Sequence, residues 1–350
     1  MIRNNFKFFA LLIASASLTF FESCITSQQF SDQIFQTITV PEEGGISLQQ
    51  LTKESDVVTG PNVILNSTTE LVNNKFVTQD NIRWFTASYL SISPDGKNFS
   101  FLANNSNSQN IFIRSTEGGS SAIQKTFRST VSDFAYSKDG ANIAFTDYDG
   151  SDYNIYSTDT KKGQAIRQVV ATTAPEMNPC FSTDSKRIFF TKEVGGTYSI
   201  WAVDLNSSLI TQYVDGSNPD FVPGTNEILI TRPFKNSNRT AIWKFDYENG
   251  TETQLISDQR RSFASAKCSP NGKYIVCTGS TLRTSARPTN LDIYLFKIDG
   301  TDEIQLTFHP GTDASAVWAP DSKSIYFLST RGNIKKEYNV WKMNVEGFFK

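Results

Sequence analysis

Apolar and polar residues alternate in short runs through most of the chain, as in Phe99/Phe101 and Ile143/Phe145, a period-two pattern that predicts half-buried β-strands. Each of these runs follows a turn of the Ser-Pro-Asp-Gly type. Turn and strand occur together six times, as SISPDGKNFSFL from Ser91, AYSKDGANIAFT from Ala135, CFSTDSKRIFFT from Cys180, DFVPGTNEILIT from Asp220, KCSPNGKYIVCT from Lys267 and VWAPDSKSIYFL from Val317. A second marker, an aliphatic-aromatic pair, recurs at Ile111-Phe112, Ile155-Tyr156, Ile200-Trp201, Ile242-Trp243, Ile293-Tyr294 and Val340-Trp341. Both series advance in step by about 40 to 51 residues, so the chain is an array of one structural unit.

Within a unit, Asp-Gly and Asn-Gly supply the positive φ that closes a tight hairpin. The alternating strand is followed by a polar hairpin and the strand with the aliphatic-aromatic pair. A second turn such as Asp299-Gly300 or Asn249-Gly250 then leads to a short last strand, clearest in Ile304-Gln305-Leu306-Thr307. Four antiparallel strands in about 45 residues are the content of one propeller blade, which cannot bury both faces alone, so the stack is expected to close into a ring. The sixth unit stops after its third strand, near Val345-Glu346-Gly347, while Ile46 to Thr52 carries the same Leu-Thr ending as a fourth strand. Pairing the two would remove an open sheet edge. The expected fold is therefore all-β, a six-bladed β-propeller of four-stranded antiparallel blades. Pro61 to Asp80 holds short β-like runs that could form a degenerate seventh blade. Only about 29 residues separate Asn66 from Asp95, however, against about 45 elsewhere, which favours six.

Taken together, the Ser-Pro-Asp-Gly-Lys turn, the Ile-Tyr/Trp strand and the Leu-Thr ending resemble the TolB-type propeller repeat. The stretch LTFHPGTDASAVWAPDSK, Leu306 to Lys323, is an especially close match, and the resemblance covers about Trp84 to Gly347. It implies a non-enzymatic docking platform for other cell-envelope proteins, with Pal-like lipoproteins as the model partner and no cofactor. TolB carries an N-terminal α/β domain, for which this chain has too little sequence ahead of the repeats.

The chain opens MIRNNFKFFALLIASASLTFFESC, with Arg3 and Lys7 ahead of an apolar stretch from Phe8 to Phe21. This is signal-peptide length and short of the roughly 20 apolar residues that span a bilayer. Cys24, directly after Ser23, resembles the acylated cysteine of bacterial lipoproteins, although Phe21 and Glu22 depart from the residues usual there. The expected organisation is a signal peptide over 1–23 and a tether over 24–45, with Cys24 lipidated. A closure strand and lead-in over 46–84 and the propeller over 85–350 follow. The place expected is the bacterial envelope, on the periplasmic side of the outer membrane or at the surface. Cys180, Cys268 and Cys277 form an odd, uneven set that reads as buried thiols, with a Cys268–Cys277 bridge as the alternative.

A net charge of −2 and a pI near 5.6 argue against nucleic acid as a partner. The single histidine, His309, excludes a multi-His metal site and reads as a turn residue. There is no Gly-X-Ser-X-Gly elbow, P-loop or dinucleotide fingerprint. The acidic loop Asp147 to Asn154 has oxygen ligands at alternate positions, but its Gly150 is misplaced for a calcium loop, so an exposed hairpin turn is expected. First-strand residues Asp133, Asp220 and Lys267 are expected to line the central channel, a thin inventory for catalysis. The alternative function, an enzyme or a small-ligand or carbohydrate binder, would use that channel. Charge placement suggests where a partner sits. In units four to six, the loops between second and third strands carry Arg232, Lys235, Arg239, Arg283, Arg287, Arg331, Lys335 and Lys336, opposed only by Glu337. Long loops on a rigid scaffold are where binding residues gather, and this basic half-face is expected to meet an anionic partner surface.

Overall fold

The computed structural model describes residues 37–40, 46–84, 86–105, 107–118, 120–161, 165–234, 239–284, 289–332 and 337–349. Among these residues lie six antiparallel sheets of four or five strands and one two-stranded ribbon. The six sheets are the blades of a propeller. Their innermost strands are Leu90–Ile92, Val131–Tyr136, Glu176–Phe181, Ser217–Phe221, Phe263–Cys268 and Asp313–Trp318, in blades 1 to 6. Strands are lettered a to d from the inside outward. Because neighbours run antiparallel, the a–b and c–d turns gather at one end of the ring, the turn face. The b–c and d–a connections gather at the other, the ribbon face.

The repeated sequence markers have repeated physical causes. In the a–b turn of blade 1, Ser93 Oγ donates to Asp95 Oδ1 at 2.6 Å and accepts the Asn98 N–H at 3.0 Å. The same serine-to-acid or serine-to-amide bond recurs in Ser137–Asp139, Ser182–Asp184 and Ser269–Asn271. Gly96 follows at φ +73°, where a side chain would be strained. The closing threonine, after Lys125 in blade 1 and after leucine in blades 5 and 6, is a second device. Thr126 Oγ1 accepts the Ile111 N–H at 3.0 Å and donates to Asn110 Oδ1 at 3.0 Å, tying the outer strand's exit to strand c. Thr52 repeats this with Val340 and Asn339, and Thr307 with Ile293 and Asp292.

A third device stitches blade to blade. Strand a carries a bulge in blades 3 to 6, at which Asn178, Asn218, Ser265 and Ser315 take φ of 54° to 55°. Each bulge turns one N–H toward the preceding blade. The acceptors are Asp133 Oδ1 and the hydroxyls of Thr191, Thr231 and Thr278, at 3.0, 3.1, 3.3 and 3.2 Å. The apolar core is divided in the same way. One cluster packs Phe189 and Ile200 of blade 3 on Phe221 and Ile230 of blade 4, and the next packs Leu229 of blade 4 on Phe263 and Tyr294 of blade 5. Burial between blades, rather than in one central core, thus holds the ring.

Blade 6 is completed from the other end of the chain. Ile46–Gln50 pairs antiparallel with Asn339–Asn344, placing Leu48 opposite Met343 and Gln50 opposite Trp341. Thr37–Val40, within the stretch read as a tether, adds a fifth strand against Ile46–Gln50; all four residues are β-branched, a composition that favours strand. Beyond Ile46–Gln50 the chain becomes the mortar between blades 6 and 1. Arg114 of blade 1 grips Asp56 with two bonds of 2.6 and 2.9 Å, and Val58 bridges Ala103 and Tyr338. The stretch weighed as a degenerate seventh blade is instead a two-stranded ribbon, Val63–Val72 with Lys75–Trp84. Its long, polar middle offers no inward face to bury against a neighbouring sheet. Cys180, Cys268 and Cys277 are buried free thiols, so Cys268 and Cys277 are not bridged.

Candidate binding site

The inner strands enclose a cavity of about 420 Å³ opening among the turns of the turn face. Strand register places one residue of each blade at the same level of this cavity: Ser91, Ala135, Cys180, Asp220, Lys267 and Val317. Tyr136 and Trp318 add aromatic wall, with Phe181 and Phe221 buried behind it. Lys267 Nζ lies 3.4 Å from Asp220 Oδ1, while Asp220 Oδ2 accepts the Cys268 N–H at 2.9 Å. Burial works against the Lys267 ammonium, yet the charge of Asp220 and its neighbours holds its pKa above the ordinary lysine value. Burial pushes the Cys180 thiol up to about 11 and the Cys268 thiol to about 12, so both are protonated and poor nucleophiles near neutrality.

The other end of the cavity is stopped. After the ribbon, the chain crosses the axis, and the Thr86 carbonyl accepts from Asn178 Nδ2 at 3.1 Å and Asn218 Nδ2 at 2.9 Å. Ala87 and Tyr89 are buried behind it. Asp133 sits at this level, fully buried, accepting from Thr146 Oγ1 at 2.7 Å and from the Asn178 N–H. Loss of water outweighs those bonds and pushes its carboxyl up to about 6. The sequence located Asp133, Asp220 and Lys267 on inner strands. It gave no sign of the plug, whose partners lie 92 and 132 residues away.

On the ribbon face, Arg232, Arg283 and Arg331 of the described basic residues are engaged with their own fold. Arg331 departs from the expected surface role: it is 4 % exposed and bonded to Asp313 Oδ2 at 2.6 Å. Arg283 clamps the ribbon, with bonds of 2.8 and 2.9 Å to Asp80, and holds that carboxyl well below the usual carboxylate range. Arg232 pairs with Glu252 at 2.7 Å and caps the Asp215 carbonyl. Arg239 lines a cleft beneath the ribbon together with Arg260 and Thr281. Lys235, Arg287, Lys335 and Lys336 lie outside the described residues, as do Cys24 and the 1–23 segment. His309 Nδ1 accepts the Gly311 N–H at 2.8 Å, a turn role. In the acidic loop, Asp149 is occupied by Ser151, Asp152 and Asn154, and Asp147 by Arg128, as an exposed hairpin turn requires. No group of His, Cys, Asp and Glu suited to a metal occurs among the described residues, and no helix there is long and apolar enough to cross a membrane.

What the ribbon face does offer is apolar surface. In the ribbon, Leu71 and Phe76 are cross-strand partners on one side of the tip, 61 % and 81 % exposed, with Val72 and Val77 on the other side. Phe127, Leu282 and Phe308 are also exposed, in d–a and b–c connections of the same face, as is Tyr198 at the start of a c strand there. Most exposed large apolar side chains of the described residues therefore share one end of the ring. Monomeric surfaces rarely gather apolar area in this way without a binding role.

A closed ring of six blades, with an axial cup at one end and an apolar-tipped ribbon at the other, defines a β-propeller. The TolB beta propeller domain matches residues 72–281, and the chain belongs to that family. Among solved structures, TolB from Acinetobacter baumannii superposes with a TM-score of 0.57 at 14% identity, covering 81% of this chain and 80% of that one. A TolB-type protein from Agrobacterium tumefaciens gives 0.56 at 17% identity, over 76% and 94%. Oligogalacturonate lyase from Vibrio parahaemolyticus gives 0.51 at 11% identity, over 83% and 100%. At these identities the likeness is one of fold, which an enzyme shares with TolB. A comparison with curated protein sequences finds no significant match.

Asp133 gives the site a measurable pH signature. Its folded-state pKa of about 6 lies above the ordinary 3.8, so the fold favours the protonated form. That stability is complete below the unfolded value and is lost as pH rises through 6. Asp133→Asn keeps an acceptor for Thr146 and Asn178 but cannot ionise. Relative to the variant, the native chain is expected to lose about 2 to 3 kcal/mol of stability between pH 4 and 7. Urea unfolding at stepped pH measures this, and parallel stability curves for the two proteins would contradict it.

Proposed function

We propose that this protein is a non-enzymatic, lipid-anchored component of the bacterial cell envelope whose propeller docks other envelope proteins through its ribbon face. The observation that carries the reading is the gathering of exposed apolar side chains there, headed by the Leu71–Phe76 pair at the ribbon tip. A buried apolar centre with a polar rim is the usual anatomy of a protein interface. Arg239 and Arg260, which line the cleft beneath the ribbon, favour a partner with acidic groups at its edge. Membership of the TolB propeller family supports a docking role, with Pal-like lipoproteins as the partner type. The raised thiols and the occupied His309 weigh against nucleophilic chemistry.

The test is capture from cross-linked envelopes by the full chain. The native protein is expected to retain one partner in stoichiometric amount, including at high salt. Leu71→Ser with Phe76→Ser is expected to lower capture at least tenfold without altering the melting temperature, because neither residue supports the ring. Equal capture by the double variant would refute the ribbon's role. The anchor is checked separately by mass spectrometry of the mature N-terminus. A diacylglycerol on Cys24 is expected, and a free Cys24 thiol would refute lipidation.

A further inference from the structure

The cavity at the opposite end of the ring is not needed for docking at the ribbon face, and its chemistry points to a ligand of its own. We propose that the channel cup binds a small carboxylate with a compact apolar or aromatic body, its carboxylate on Lys267 Nζ and its body against Tyr136 and Trp318.

Lys267 carries the argument. An ammonium has three donors, and here its bond to Asp220 Oδ1 is long, at 3.4 Å. Asp220 is committed elsewhere as well, since Oδ2 holds the Cys268 N–H at 2.9 Å. The lysine backbone is fixed in turn, because its carbonyl accepts the Trp318 Nε1–H at 3.0 Å. A positioned ammonium with unused donors, in a cup of mostly apolar wall, is suited to a charge-assisted bond with a carboxylate. At the level of Lys267, apart from its partner Asp220, the blades contribute Ser91, Ala135, Cys180 and Val317, none of them charged at neutral pH. Lys138 adds a second positive charge at the exposed mouth. Asp133 lies one layer deeper, with Oδ1 engaged by Thr146 and Asn178 and Oδ2 by Ser132.

Shape sets the size and body of the ligand. A volume of about 420 Å³ lies at the lower end of ordinary small-molecule pockets, enough for one ring and a short acid arm. Because Thr86 and its asparagine partners stop the far end, the site is a cup and not a pore. A closed end keeps water away from the pair and strengthens it. The same chemistry is available from a free aromatic acid or from the C-terminal residue of an extended peptide, so both sources are compared.

Calorimetric titration of the full chain with phenylacetate, phenylacetamide, a tetrapeptide ending in free Phe and its C-terminal amide tests the proposal. Saturable one-to-one binding of phenylacetate is expected, at least tenfold tighter than that of phenylacetamide. A tetrapeptide acid that binds as well as phenylacetate would identify a peptide terminus as an equal source, and one that fails would identify the free acid. Lys267→Met is expected to reduce acid binding at least tenfold, and Asp220→Asn to strengthen it severalfold by freeing the ammonium. The Leu71→Ser, Phe76→Ser protein is expected to bind phenylacetate normally, which separates this site from the docking face. The acid-to-amide comparison on the native chain does not depend on any variant folding. No saturable binding of either acid at millimolar concentration, or equal binding of acid and amide, would overturn the proposal.

Discussion

The strand pairing between Ile46–Gln50 and Asn339–Asn344 joins residues almost three hundred positions apart, and the rest of the molecule depends on it. Each blade buries its apolar residues against the next, so a ring with one unsatisfied blade would expose a whole interface rather than one strand. Leu48 is fully buried in the cluster that also holds Trp341, Met343 and Phe327. The residues that follow extend the closure inward. Leu51 and Val58 join Phe99, Phe101, Tyr326 and Leu328 in one cluster that spans the junction of blades 6 and 1. The Arg114–Asp56 pair fixes the register there, and breaking such a buried pair on one side costs about 3 to 5 kcal/mol.

Closure also decides which end of the ring is free. Once the N-terminal stretch has sealed blade 6, it emerges on the ribbon face beside Tyr338, whose hydroxyl donates to the Pro61 carbonyl at 2.9 Å. From there it must reach Leu90 at the axis. It does so through the ribbon and the Thr86 crossing, which together raise an apolar arm over blades 4 and 5 and stop the channel at that end. The turn face is left with short, internally bonded turns around the open cup. One path of chain therefore creates both a protruding ribbon and a blind cavity, at opposite ends.

The blades were legible in the sequence because each marker does a local job. Serine and aspartate close a turn five residues long, and the closing threonine bonds a strand about fifteen residues away. Even the closure strand could be placed, since Thr52 carries the same device toward Val340. The ribbon was not legible as such. Its β-branched residues predict strands, but whether two strands join a blade or stand alone depends on what they pack against, which local pattern does not encode. Charge misled for a related reason. Arg331, Arg283 and Arg232 look alike on a list of loop residues, yet Asp313, Asp80 and Glu252 neutralise them from distances of 18, 203 and 20 residues. Asp220 and Lys267 were visible as inner-strand residues, whereas their contact needed the register of two blades.

The most direct measurement is hydrogen–deuterium exchange on the full chain, free and with the captured envelope partner bound. Exchange is expected to slow in Val63–Trp84 and in the b–c and d–a connections of blades 4 and 5, while the Ser93, Ser137, Ser182 and Ser269 turns stay unchanged. Protection confined to those turns, with the ribbon exchanging as it does in the free protein, would contradict docking through the ribbon face.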